Sequence, residues 1–210
     1  MTVHSITKTS GELLWFKGTL VNIRVSAKSG ADRISVVEHR MPYGESPPLH
    51  IHRNEDEVFH VLEGSMRFHV DGKDTVAHAG QIVLAPKGIP HSFRVESQTG
   101  ARCLTITTGG DFENMVREMG TPALSADMPP PVAPTPEMII ELTAACARNG
   151  IDIIGAPLSR LGKWARLPRA RSRPKSYLRW IFGARRATVG LGFQGGGLLD
   201  EQRVPLPHFQ

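Results

Sequence analysis

His50 and His52 stand two residues apart in the segment Gly44-Glu-Ser-Pro-Pro-Leu-His50-Ile-His52-Arg-Asn-Glu-Asp-Glu57-Val-Phe-His-Val-Leu-Glu-Gly64. On an extended strand, residues two apart project from one face, so both imidazoles can close on a single ion. A loop follows, and Glu57 opens the next strand with a hard oxygen donor. The fourth group comes from Gly80-Gln-Ile-Val-Leu-Ala-Pro86-Lys-Gly88-Ile-Pro-His91, where a turn precedes a strand that begins at His91. Three imidazoles and one carboxylate suit one divalent transition metal among Fe, Mn, Ni, Co, Cu and Zn, and ligand identity does not select among them. If Glu57 faces inward, so do Phe59 and Val61, and with Phe68 and Phe93 they form a candidate apolar substrate pocket that doubles as core.

The remaining chemistry-bearing residues lack such spacing. His4, His39, His60, His69, His78 and His208 belong to no spaced cluster and read as surface or hydrogen-bonded side chains. Glu55 and Asp56 read as solvated loop charges, and Glu63 as a turn residue. Cys103 and Cys146 are far apart in sequence, form no disulfide framework and read as packing residues.

Elements able to position the four donors are legible from residue 18 to 108. Short runs rich in Val, Ile, Leu and Thr are broken by Gly, Pro, Asn and Asp, which predicts strands at Thr19–Val25, Arg33–Met41, Glu57–Leu62, Ser65–Val70, Lys73–Ala77, Gln81–Ala85, His91–Val95 and Arg102–Thr107. Glu63-Gly64 and Asp71-Gly72 supply tight connections, the second a strong hairpin signal. Many short strands with little helix between them predict an all-β sandwich or barrel. Asp111 is placed to cap a short helix whose face is Phe112, Met115, Val116 and Met119, ended by Gly120. A proline-rich connector over 121–136 leads to a second helix capped by Thr135 with Pro136 in its first turn, running to Asn149-Gly150 with Met138, Leu142, Ala145 and Cys146 on one side.

The expected organisation is an N-terminal segment (1–17), a barrel (18–110), helices and connector packed on it (111–158), and a basic Arg/Gly-rich tail (159–210). Charge follows that division. Through Leu158 there are 14 Lys+Arg against 18 Asp+Glu, a net of −4, whereas Ser159 to Gln210 has 11 against 2, a net of +9. The barrel's charge therefore does not point to nucleic acid. Within the tail, Trp164, Tyr177, Trp180 and Phe182 are interleaved with arginines. That composition suits either a poorly ordered extension or a basic arm for nucleic acid or an anionic surface. No leader and no membrane span is readable, so a globular cytoplasmic protein is the expectation.

These residues carry a resemblance. Gly44, His50, His52, Glu57 and Gly64 match the first cupin motif, and Gly80, Pro86, Gly88 and His91 match the second. An asparagine that the family often has four residues after the second-motif histidine is Val95 here. The chain most resembles small single-domain cupins similar to quercetin 2,3-dioxygenase, over about Gly18 to Leu158, including the Gly109-Gly110-Asp111-Phe112-Glu113 segment after the barrel. The resemblance implies a double-stranded β-helix, or jelly-roll barrel, with one or two short C-terminal helices, and metal ligation by His50, His52, Glu57 and His91. It further implies a dioxygenase that brings dioxygen to a small aromatic or enolic, flavonol-like substrate. Glu57 would then also take the substrate's hydroxyl proton, with its pKa moved toward neutrality by partial burial. A homodimer paired through an edge strand belongs to the same expectation. The alternative is a non-catalytic barrel in which the metal anchors a small ligand for binding or sensing; a metal-free sugar isomerase would not need the full donor set.

Overall fold

The computed structural model describes residues 11–159. His4, His208 and the aromatic-arginine stretch of the tail lie outside the described residues.

Strands dominate: β1 (Glu12–Phe16), β2 (Thr19–Val25), β3 (Ile34–Met41), β4 (Pro48–His52), β5 (Glu57–Glu63), β6 (Ser65–Val70), β7 (Lys73–His78), β8 (Ile82–Ala85), β9 (His91–Val95), β10 (Ala101–Thr108), β11 (Thr121–Pro122) and β12 (Ile151–Pro157), with helices α1 (Asp111–Met119) and α2 (Pro136–Arg148). They form a seven-stranded sheet ordered β11-β1-β2-β3-β10-β5-β8 and a five-stranded sheet ordered β12-β4-β9-β6-β7. Consecutive strands thus alternate between sheets at β3–β4, β4–β5 and β5–β6, the pattern that lets both sheets enclose one interior. Where β6 returns along β7, Val70 faces Lys73 across Asp71 and Gly72, which have φ of 50° and 75°. Positive φ at both central residues gives the tight two-residue hairpin that the Asp-Gly pair foretells.

Period-two alternation sets what points inward. Ser35, Val37, His39 and Met41 are the buried residues of β3; Glu57, Phe59 and Val61 those of β5; Ala101, Cys103, Thr105 and Thr107 those of β10. Register aligns them in rows, with Glu57 opposite Thr107, Phe59 opposite Thr105 and Val61 opposite Cys103. Two apolar clusters result. One gathers Phe59, Val61, Met66, Phe68 and Val95, with Phe93 packed against it. The other joins Leu14, Val21, Ile23 and Val37 of the large sheet to Phe112, Met115 and Val116 of α1, Cys146 of α2 and Ile151 of β12. Val95, where the family often has asparagine, is fully buried in the first cluster. Both cysteines are buried and free, as packing residues would be.

Some local expectations are revised. Glu12–Phe16 pairs with β2 along its whole length, and Ile151–Pro157 adds a strand beside β4. The α1 cap is Gly110 at φ 91°, without a side-chain cap, and Asp111 is instead the first helical residue. Thr135 caps α2 as expected, its hydroxyl accepting from the Met138 N–H at 3.3 Å.

Candidate metal centre

Four side chains from three strands converge on one point. His50 and His52 come from β4, and His50 lies opposite His91 of β9 in the only paired position of those strands. Glu57 starts β5 across the interior. The turn before His91 is fastened to the same place, since the Gly88 N–H donates to the His52 carbonyl at 2.8 Å and the Lys87 N–H to the Asp56 carboxylate at 2.9 Å. Gly88 sits at φ 76°, the left-handed conformation in which a side chain would be strained. Asp56 is exposed, as the sequence reading holds.

One donor atom from each of His50, His52, Glu57 and His91 lies within 4.8 Å of all the others. His52, Glu57 and His91 are 1–2% exposed. Two of the three imidazoles, His50 and His91, are oriented alike. The His50 Nδ1 lies 2.7 Å from the Pro48 carbonyl oxygen and the His91 Nδ1 2.9 Å from that of Ile89, contacts that hold a proton on Nδ1, so that Nε2, which in His91 bonds to Glu57 here, is the nitrogen left to face an ion. The Nε2 atoms of His91 and His52 approach one Glu57 oxygen, at 2.9 and 3.4 Å. Of these two, the His52 Nε2 makes no hydrogen bond although it is buried. A buried ring nitrogen with a free lone pair beside a carboxylate is what a cation would satisfy, so the donor set fits a divalent transition metal.

Electrostatics in the ring favour one carboxylate among neutral and positive imidazoles. Burial, followed by the charges of His91 and His52, pushes His50 down to about 3. For His52 burial opposes the cation, but the Glu57 and Glu55 carboxylates outweigh it and raise the pKa. Burial alone would raise Glu57; the charge of His52, the hydrogen bond from His91 and the charges of His91 and His50 overcome it and hold the carboxyl down to about 2. This is opposite to the shift toward neutrality expected for a basic Glu57. The physical reason is that three imidazoles surround the carboxylate.

Of the candidate pocket residues, Phe59 lies next to this ring, and Val61, Phe68 and Phe93 pack behind it in the core. The Phe59 ring is 6.4 Å from that of His91, and Phe59, Phe68 and Phe93 pack in tilted and edge-on contacts at 5.0 to 6.0 Å between centroids. Val61 is fully buried one pair further along β5.

Two residues depart from their sequence reading. Glu55 is 1% exposed, not a solvated loop charge. Its Oε1 accepts the N–H groups of Gly110 and Asp111 at 2.6 and 2.8 Å and its Oε2 that of Phe112 at 2.9 Å, so it closes the N-terminus of α1. His39 is 8% exposed, not a surface histidine; its ring stacks on Phe112 at 5.7 Å and its Nε2 has no hydrogen-bond partner. Burial pushes it down to about 4, against the pull of Glu57. Alternation with Val37 and Met41 along β3 is the signal that places His39 inward; nothing comparable marks Glu55, whose partners are 55 to 57 residues away.

A family model described as a cupin domain matches residues 37–107, which contain all four donors. Quercetin 2,3-dioxygenase of Bacillus subtilis (strain 168) is 28% identical over 120 residues, 57% of this chain and 35% of that protein. An oxalate-binding protein of Thermotoga maritima is 33% identical over 67 residues, 32% of this chain and 55% of that protein. The chain therefore spans about a third and about half of the two curated relatives. Among solved structures, a predicted oxalate decarboxylase from Thermotoga maritima aligns at 24% identity with a TM-score of 0.43, covering 51% of this chain and 98% of that one. The polyketide cyclase RemF from Streptomyces resistomycificus aligns at 22% identity with a TM-score of 0.42, covering 66% and 89%. Residues 37–107 of this chain match the cupin domain, and the described residues fold as a mostly β cupin with two short helices.

Proposed function

We propose that this chain is a metal-dependent cupin dioxygenase acting on a small aromatic or enolic substrate of the flavonol type. The observation that carries the reading is the convergence of three imidazoles and one carboxylate within 4.8 Å, set against the packed rings of Phe59, Phe68 and Phe93. His50, His52, Glu57 and His91 hold the ion. A divalent transition metal held there would supply Lewis acidity toward a substrate hydroxyl and toward dioxygen. Glu57 enters as a carboxylate; held down to about 2 it is a weak base, and it accepts the hydroxyl proton only if bound metal has first made that hydroxyl strongly acidic. Phe59 lines the approach, with Val61, Phe68 and Phe93 packed behind it, and together they exclude water and orient the ring plane. The similarity to the Bacillus subtilis quercetin 2,3-dioxygenase supports the substrate class.

The similarity to the Thermotoga maritima oxalate-binding protein favours a second reading, a barrel in which the metal anchors a small ligand without turning it over. Oxygen uptake with a flavonol, on protein reloaded separately with Fe, Mn, Co, Ni and Cu, separates the two. Uptake with at least one metal is expected; none with any metal leaves the binder.

The proposal includes a cytoplasmic homodimer. Strand β8 supports the pairing, because it ends the large sheet and carries Ile82 and Leu84 at 64% and 52% exposure. Light scattering on the eluting species should give twice the chain mass.

A further inference from the structure

Three histidines share the candidate ion, yet their Nδ1 atoms are held differently. His50 and His91 each point Nδ1 at a backbone carbonyl two residues away. His52 has no such carbonyl. Facing its Nδ1, at 3.7 Å, is Oε2 of Glu55, an ion-pair distance longer than a hydrogen bond. The same Oε2 accepts the Phe112 N–H, and the ring of Phe112 is 6.1 Å from that of His52. Oε1 is fixed by the N–H groups of Gly110 and Asp111. The backbone closes tightly on this carboxylate: at Gly109, with φ of 120°, an added Cβ would lie 3.3 Å from Oε1. A carboxylate that accepts three N–H bonds has little freedom to swing, and the side it turns to His52 offers acceptor lone pairs alone.

We infer that Glu55 is a positioning residue: it keeps the His52 proton on Nδ1, so that Nε2 is free for the ion, and it ties that orientation to the docking of α1. The inference rests on the metal-binding part of the reading above and is independent of the dioxygenase part. Carboxylates behind metal-bound imidazoles act in this way generally, by fixing tautomer and ring orientation. Here the carboxylate also closes a helix N-terminus, so an ion that immobilises His52 steadies Glu55 and, through it, the first amides of α1.

The test uses the full chain and cobalt(II), titrated against a competing chelator, for wild type, Glu55→Gln and Val116→Ala. The amide of Glu55→Gln can keep an oxygen for Gly110 and Asp111 but must turn N–H groups toward Phe112 and His52. Val116→Ala loosens the packing of α1 and leaves Glu55 intact. Glu55→Gln is expected to weaken cobalt binding about 10- to 100-fold and to alter the visible cobalt spectrum, whereas Val116→Ala keeps the wild-type affinity and spectrum. A second measurement does not depend on either variant folding. In zinc-loaded wild type, long-range ¹H–¹⁵N correlation is expected to show the His52 proton on Nδ1, and amide exchange at Gly110, Asp111 and Phe112 should slow on zinc loading more than in α2. Wild-type affinity and spectrum in Glu55→Gln, equal losses in Glu55→Gln and Val116→Ala, or a His52 proton on Nε2 would each overturn the inference. A wild-type chain that takes up neither cobalt nor zinc overturns the metal reading and this inference with it, a result distinct from the other three.

Discussion

Each of the four donors has its own job, and truncation separates them. His91→Ala removes a buried nitrogen and leaves Glu57 without its 2.9 Å partner, so both metal and turnover should fall, metal affinity by at least about 10-fold. Glu57→Ala leaves three imidazoles able to hold an ion; its turnover should fall further than its metal content. Elemental analysis and oxygen uptake on the same preparations check this, and equal metal loss in both variants would remove the proton-accepting role of Glu57. His39 predicts a pH effect. Folding lowers its pKa from 6.5 to about 4, so between those values the unfolded chain binds a proton that the folded chain refuses. Stability of the metal-free protein should therefore fall as pH drops from about 6.5 toward 4, by up to about 3 kcal/mol from this group. His50 is lowered in the same sense, so His39→Leu should flatten the decline without abolishing it, as urea midpoints at pH 7 and 4.5 would show. An unchanged slope in that variant would remove His39 as a cause.

At the scale of elements, turns decide whether two sheets can face one interior. Gly64 carries the chain from β5 in one sheet to β6 in the other at φ 80°, where an added Cβ would fall 2.4 Å from the Ser97 Oγ and 2.5 Å from the Gly100 carbonyl oxygen. Gly72, in the β6–β7 hairpin, has φ 75° and nothing within 4 Å of a Cβ. Gly72→Ala should cost about 1 kcal/mol from backbone strain alone, and Gly64→Ala about 3 kcal/mol or more because overpacking against backbone adds to strain. Denaturant midpoints of the two variants test the order. Strands with alternating burial and a local turn, such as β6 and β7, were legible because both signals lie within the strand pair. β1 and β12 were not. β12 draws its partner β4 from far earlier in the chain, and the alternation of Ile151-Asp-Ile is broken at once by Ile154. β1 forms a local hairpin with β2 across Lys17-Gly18, both at positive φ, but Lys-Gly is a weaker turn signal than Asp-Gly. Glu55 shows the same limit within a loop: flanked by Asp56 and Glu57 it has the look of solvated charge, and what buries it is a helix end more than fifty residues later. The motif donors were legible because His-x-His, the Glu57 offset and the turn before His91 are local spacings on strands that the register then brings together.

For the whole molecule, the site stands where two apolar clusters meet: the aromatic group of Phe59, Phe68 and Phe93 on one side and, through Phe112, the α1 cluster on the other. That placement gives a dry interior on one flank and a helix anchored by a buried carboxylate on the other. In such surroundings four polar donors are costly unless something satisfies them, which is the physical case for an ion. The most direct measurement is metal stoichiometry by elemental analysis, on wild type and His91→Ala, each loaded with one divalent transition metal and then dialysed free of excess. About one ion per wild-type chain and far less in His91→Ala is the expected result. A wild-type chain that retains none, or a variant that retains as much as wild type, would contradict the claim that His50, His52, Glu57 and His91 hold a single ion.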